Sequence, residues 1–172
     1  MEYQEQSAVA DLCGDMPAPY VTYSIECIGA DGEIRWAEQV TNLVTTVGRT
    51  DLVDKYLKGS AYTAAWYLVL AGAGTKAAGD TLASHAGWTE LTPYAGSNRP
   101  AITWGTTSAG SNTSSAVSIS INATATVAGA GICTTQSNAS TSGILYSVSD
   151  FGAARSVFSG DTLNIIMTIS AT

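Results

Sequence analysis

From Val117 to Val127 the chain alternates without a break. Val117, Ile119, Ile121, Ala123, Ala125 and Val127 are apolar, and Ser118, Ser120, Asn122, Thr124 and Thr126 between them are polar. A period of two puts one set on each face of a strand, so one face packs on a core and the other meets water. That is a half-solvated antiparallel sheet. The length predicts a bend or bulge near Ala123. A second stretch, Trp66-Tyr67-Leu68-Val69-Leu70, is apolar throughout and is stopped by Gly72 and Gly74. A short run of this kind reads as a strand buried on both faces, with Trp66, Leu68 and Leu70 on one side and Tyr67 and Val69 on the other. It is expected at the centre of a sheet sandwich. Residues 72–87 then form a surface excursion that returns with Trp88 as its anchor.

The remaining segments agree with an all-β chain. Val21, Tyr23, Ile25 and Cys27 alternate with Thr22, Ser24 and Glu26, and Asp31-Gly32 turns the chain back through Ile34, Trp36 and Val40. Asp-Gly between two such runs predicts a hairpin. Shorter strands are expected at Ala101–Trp104 and Ile144–Val148, with Gly129 and Gly131 interrupting the stretch after Val127. Leu163, Ile165, Met167, Ile169 and Ala171 share one face of a last strand. A strand this apolar is expected inside a sheet, since an open edge would invite aggregation. The period changes once. Leu52, Val53, Tyr56 and Leu57 fall on one helical face, which predicts a helix over about 46–58, capped by Thr46 or Thr50 and stopped by Gly59. Its apolar stripe is expected to face the core. Residues 1–20, ending in Pro17 and Pro19, read as an extended arm ahead of a single domain at 21–172.

Charge narrows the functions. The chain has 7 Lys and Arg against 14 Asp and Glu, a net charge of −7, with no cluster of cations. Nucleic-acid binding needs clustered cations to displace counterions, so neither nucleic acid nor an anionic membrane surface is an expected partner. The acidic start at Glu2 and Glu5 does not read as a signal peptide, and no apolar run reaches the length of a membrane span. Cys13, Cys27 and Cys133 are odd in number and lack a CxxC pair. Cys27 and Cys133 read as small buried apolar residues.

Catalytic patterns are weak. His85 is the single histidine, and Ser84 beside it would point away in an extended chain. No GxSxG elbow is present. One histidine and scattered cysteines do not make a zinc site. Asp31-Gly32-Glu33 lacks the rest of a calcium loop, and Gly72–Lys76 lacks the spacing of a phosphate loop. No metal, cofactor or catalytic residue is expected. What remains is apolar surface. Tyr3, Leu12 and Tyr20 in and next to the arm, with Trp36, Trp88 and Tyr94 in the domain, are the expected contacts to a partner protein or to a second copy.

Three segments together carry a resemblance. The first is Glu26-Cys27 through Asp31-Gly32-Glu33-Ile34-Arg35-Trp36 to Asn42-Leu43-Val44. The second is Gly59–Leu68 with Asp80-Thr81-Leu82-Ala83-Ser84-His85-Ala86-Gly87-Trp88-Thr89-Glu90. The third is Gly143-Ile144-Leu145-Tyr146 with Ser159-Gly160-Asp161-Thr162-Leu163. From about Val21 onward the chain resembles small tailed-bacteriophage virion proteins, similar to capsid cement (decoration) proteins. The resemblance implies a jelly-roll-like β-sandwich on the outer surface of the head, made in the bacterial host cytoplasm. It implies homodimers or homotrimers that bridge subunits of the major capsid protein, and no enzymatic activity. The acidic arm would reach a basic patch on a capsid subunit or a neighbouring copy. The alternative is a neck or tail module that binds a receptor glycan, with Trp88 and Tyr94 as its stacking surface. A β-sandwich hydrolase would be a third reading, for which the residues give no motif.

Overall fold

The computed structural model describes residues 19–61 and 65–171. β1 (Tyr20–Ile28), β2 (Ile34–Thr41) and β3 (Leu43–Val44) lead into helix α1 (Thr46–Tyr56). β4 (Trp66–Ala71), β5 (Glu90–Leu91), β6 (Ala101–Ile102), β7 (Ser111–Thr113) and β8 (Val117–Ser120) follow. β9 (Ala125–Cys133), β10 (Leu145–Val157) and β11 (Thr162–Ser170) complete the chain. One sheet runs β2-β1-β11, with β7 and β8 sharing the far side of β11. The other runs β3-β10-β9-β4, with β5 and β6 both on β4. All pairings are antiparallel. The molecule is an all-β sandwich with one short helix, as expected. Its outermost pairings are nested: β1 pairs with β11, and β3 pairs with β10.

The core lies between the sheets. On β1 the residues Val21, Tyr23, Ile25 and Cys27 point inward and pair in register with Ile169, Met167, Ile165 and Leu163 of β11. The terminal strand is therefore internal, as its apolar face requires. Tyr23 also crosses the core, its hydroxyl 2.6 Å from Ser147 Oγ on β10.

β4 is buried on both faces, with its side chains divided as its sequence predicts. Leu68 and Leu70 enter the inter-sheet core, with Trp66 packed against it. Val69 joins Ala71, Leu82, Trp88, Cys133, Leu145 and Val148 in a second cluster on the outer side of the sheet, against which Tyr67 packs.

Four expectations change. Val117–Val127 is two strands: β8 leaves the first sheet after Ser120, and β9 enters the second at Ala125. Gly129 and Gly131 do not interrupt β9. A side chain at either would strike the backbone of Ser149 or Ser147 on β10, so glycine allows the close pairing. β10 runs on to Val157, with an irregular register between Asp150 and Arg155. The helix is capped by Thr45, whose hydroxyl accepts from Gly48 N at 3.0 Å. Thr50 instead donates to the Thr46 carbonyl. Gly59, at φ +68°, follows the helix as its sequence predicts.

Candidate contact surfaces

The four expected contact residues that are described do not converge. Tyr3 and Leu12 lie outside the described residues. Tyr20 is half-buried at the start of β1. Trp36 is half-buried near the far end, its ring 6.3 Å from Phe151 and its Nε1–H donating to the Ser156 carbonyl at 3.3 Å. Trp88 and Tyr94 are corrections, because both are buried inside the chain. Trp88 Nε1 donates to Asp80 Oδ2 at 2.8 Å, and the His85 ring stacks on the indole at 4.1 Å. Tyr94 is bridged to Ile121 beneath the crossing from β8 to β9. Burial, then the charge of Glu90, pushes its hydroxyl up to about 12. Neither aromatic ring offers a stacking face to a ligand.

The open apolar surface is on the helix. Leu52, Val53, Tyr56 and Leu57 are 43, 49, 85 and 72% exposed. The stripe expected in the core faces outward. The reason is Gly48. A Cβ there would collide with the backbone of Tyr146, so the helix rests on β10 through bare backbone. That contact turns Gly48 and Asp51 inward. Arg49 lies within the outward stripe, three and four residues before Leu52 and Val53.

A second apolar pair stands elsewhere. Ile34 is 60% exposed and Phe158 46%, with the Arg35 guanidinium 5.5 Å from the Phe158 ring. Ile34 pairs with Ile28 at the end of β1. The helix begins near the opposite end, where Asn42 Oδ1 accepts from Val21 N and Asn42 N donates to the Val21 carbonyl. The nine residues of β1, eight steps of about 3.3 Å, separate the two regions by about 26 Å.

A hollow of about 300 Å³ opens between the sheets, lined by Trp66, Trp104, Tyr146, Thr107, Ser111 and Asn112 among others. Trp66 and Tyr146 meet edge to face at 5.5 Å. Their separation in sequence hides this grouping. The only local signal is Trp104 at the mouth of a Gly/Ser/Thr/Asn loop.

The buried ionisable groups are committed to structure. Arg99 forms a bidentate pair with Glu90 at 2.7 and 2.8 Å and donates to the carbonyls of Thr135, Ser137 and Ser140. It fastens β5 to the loop between β9 and β10. Asp161 accepts from Arg35 Nε and from the Phe158 N–H, each at 2.9 Å. Burial opposes its charge, but these donors outweigh that and hold its carboxyl below the usual value. Burial, then the Asp161 charge, pushes the Cys27 thiol up to about 11. Burial also raises the Cys133 thiol. Both cysteines are poor nucleophiles in this state.

Among the described residues no group of His, Cys, Asp and Glu is arranged to hold a metal, and no helix is long and apolar enough to cross a membrane. No family model matches the chain, and no curated protein or solved structure matches it.

Proposed function

We propose that this chain is a non-enzymatic structural protein of a tailed-bacteriophage particle. It acts as a cement protein that binds the outer surface of the head and bridges major capsid subunits. The observation that supports this most is the pair of separated apolar surfaces, one on α1 and one at Ile34 and Phe158, on a single packed sandwich. Bridging needs two contact regions held apart by a body that does not deform. Each contact can be modest, about 800 Å² per partner or less, because many copies act together on a lattice. Binding lowers the free energy of the closed shell and so opposes its rupture by the packed genome.

A second reading is a receptor-glycan module at the neck or tail, favoured by the hollow at Trp66 and Trp104. Aromatic faces beside an amide and hydroxyls suit a sugar ring, which presents C–H groups on one face and hydroxyls at its rim. Copy number separates the two. Particles are purified and this chain is quantified against the major capsid protein. A simple ratio to the capsid subunits supports cement. A handful of copies per particle supports the neck or tail module. Absence from the particle overturns both.

A further inference from the structure

We propose that the exposed face of α1 is the docking site for the acidic N-terminal segment of a second copy of this chain. The inference deepens the cement reading by naming a self-contact, and it rests on that reading only for the expectation of an oligomer.

The face combines two properties. It is apolar through Leu52, Val53, Tyr56 and Leu57. It also carries a positive charge that is unpaired among the described residues. Of the seven cations in the chain, Arg35, Lys55, Lys58, Lys76, Arg99 and Arg155 are paired with carboxylates. Among the described residues Arg49 makes no ion pair, and it is exposed within the apolar stripe. A matching ligand is an extended peptide that alternates carboxylates with apolar side chains.

Residues 1–18 have that composition. Glu2, Glu5, Asp11 and Asp15 are interspersed with Tyr3, Val9, Leu12 and Met16, and there is no Lys or Arg. At about 3.3 Å per extended residue this segment spans up to about 60 Å. It joins the domain at Tyr20, beside the start of the helix. Pro17 and Pro19 bias Met16 and Ala18 to extended conformations. A reach of about 60 Å is enough for a neighbour's helix, and the oligomer expected of the cement reading favours that helix over the segment's own. Reciprocal exchange closes a two-fold dimer in which each arm covers the other copy's stripe.

The segment's own Cys13 supplies the test. Val53→Cys is made in the full chain, with Ala139→Cys in an exposed loop as the control. After mild oxidation, disulfide-linked peptides are identified by mass spectrometry, and mass in solution is measured by light scattering. The expected result is a disulfide from Cys13 of one chain to the thiol introduced at position 53 of another, a dimeric mass, and no comparable bond in the control. Arg49→Glu or Leu57→Glu in the otherwise native chain should weaken the dimer about tenfold or more. The same disulfide formed within one chain, a monomeric mass, or a dimer indifferent to both substitutions would overturn the proposal. Particle stoichiometry is measured separately, so a dimer that never joins a phage head sinks the cement reading and leaves this one standing.

Discussion

The outer face of β4 and the outer face of α1 carry similar apolar patterns and end in opposite places. Tyr67 and Val69 are covered by the excursion after β4, which folds Leu82 and Trp88 down onto them. Asp80 receives the indole N–H, and Lys76 is fixed by the carbonyls of Gly72 and Gly74 and by Asp150 at 2.7 Å. Leu52, Val53, Tyr56 and Leu57 have no such cover among the described residues. A pattern states which side chains are apolar. Whether they are buried depends on what the fold brings over them.

Replacing Trp88 gives the largest effect that this comparison predicts. Trp88→Ala should cost about 4 kcal/mol, because it removes a large buried ring and leaves a cavity under the excursion. Trp88→Phe should cost about 1–2 kcal/mol, since most of the packing stays and Asp80 loses the indole donor. Urea unfolding followed by far-ultraviolet circular dichroism checks both. A loss below about 1 kcal/mol for the alanine variant would mean that the excursion is not a cover, and the contrast with the helix would fail.

Arg99 extends the test to a polar cover. Arg99→Met should cost about 3 kcal/mol, because Glu90 keeps a partly buried charge and three carbonyls lose their donor. Protease cleavage within residues 134–142 should rise in parallel, since Arg99 fastens that loop. A stable variant with unchanged cleavage would show that the loop is held by other contacts.

Asp161 gives a smaller, pH-dependent effect. Its folded pKa lies below the unfolded value near 3.9. Its contribution is therefore complete above about pH 4 and is lost as pH falls through the folded value. Asp161→Asn should cost about 1–2 kcal/mol at pH 7 and flatten the acid limb of the stability curve. Equal losses at pH 7 and at pH 2 would show that the charge contributes nothing.

Much of the fold was legible because period two survives in β1, β4 and β11, whose inward residues are those that the alternation selects. The same regularity concealed the crossing between β8 and β9. Both sheets face one core, so Val117, Ile119, Ile121 and Val127 keep pointing inward while the chain changes sheet. Alternation reports a face and says nothing of which sheet bears it. Trp88 was legible as the anchor of the excursion after β4, and it packs there; its second reading as an open contact fails for the same reason, and the burial of Tyr94 was not legible because its partner Ile121 comes from another turn of the chain. The helix stripe was misplaced because Gly48 rotates α1 on β10, and one glycine in a sequence does not announce a contact surface.

The smallest expected effect is the sharpest for the comparison. Tyr56→Ala removes a large aromatic side chain, as Trp88→Ala does, from a position 85% exposed. Little apolar area returns to water, and alanine is a better helix former than tyrosine. Unfolding of dilute monomer should therefore change by no more than about 0.5 kcal/mol in either direction. At high concentration the same variant should unfold earlier than the native chain, because an associated state adds stability by mass action and Tyr56 lies in the proposed contact. The two conditions isolate the cover itself. A cost above about 2 kcal/mol in dilute solution would place the stripe under a segment of its own chain, and α1 would then belong with β4 instead of standing against it.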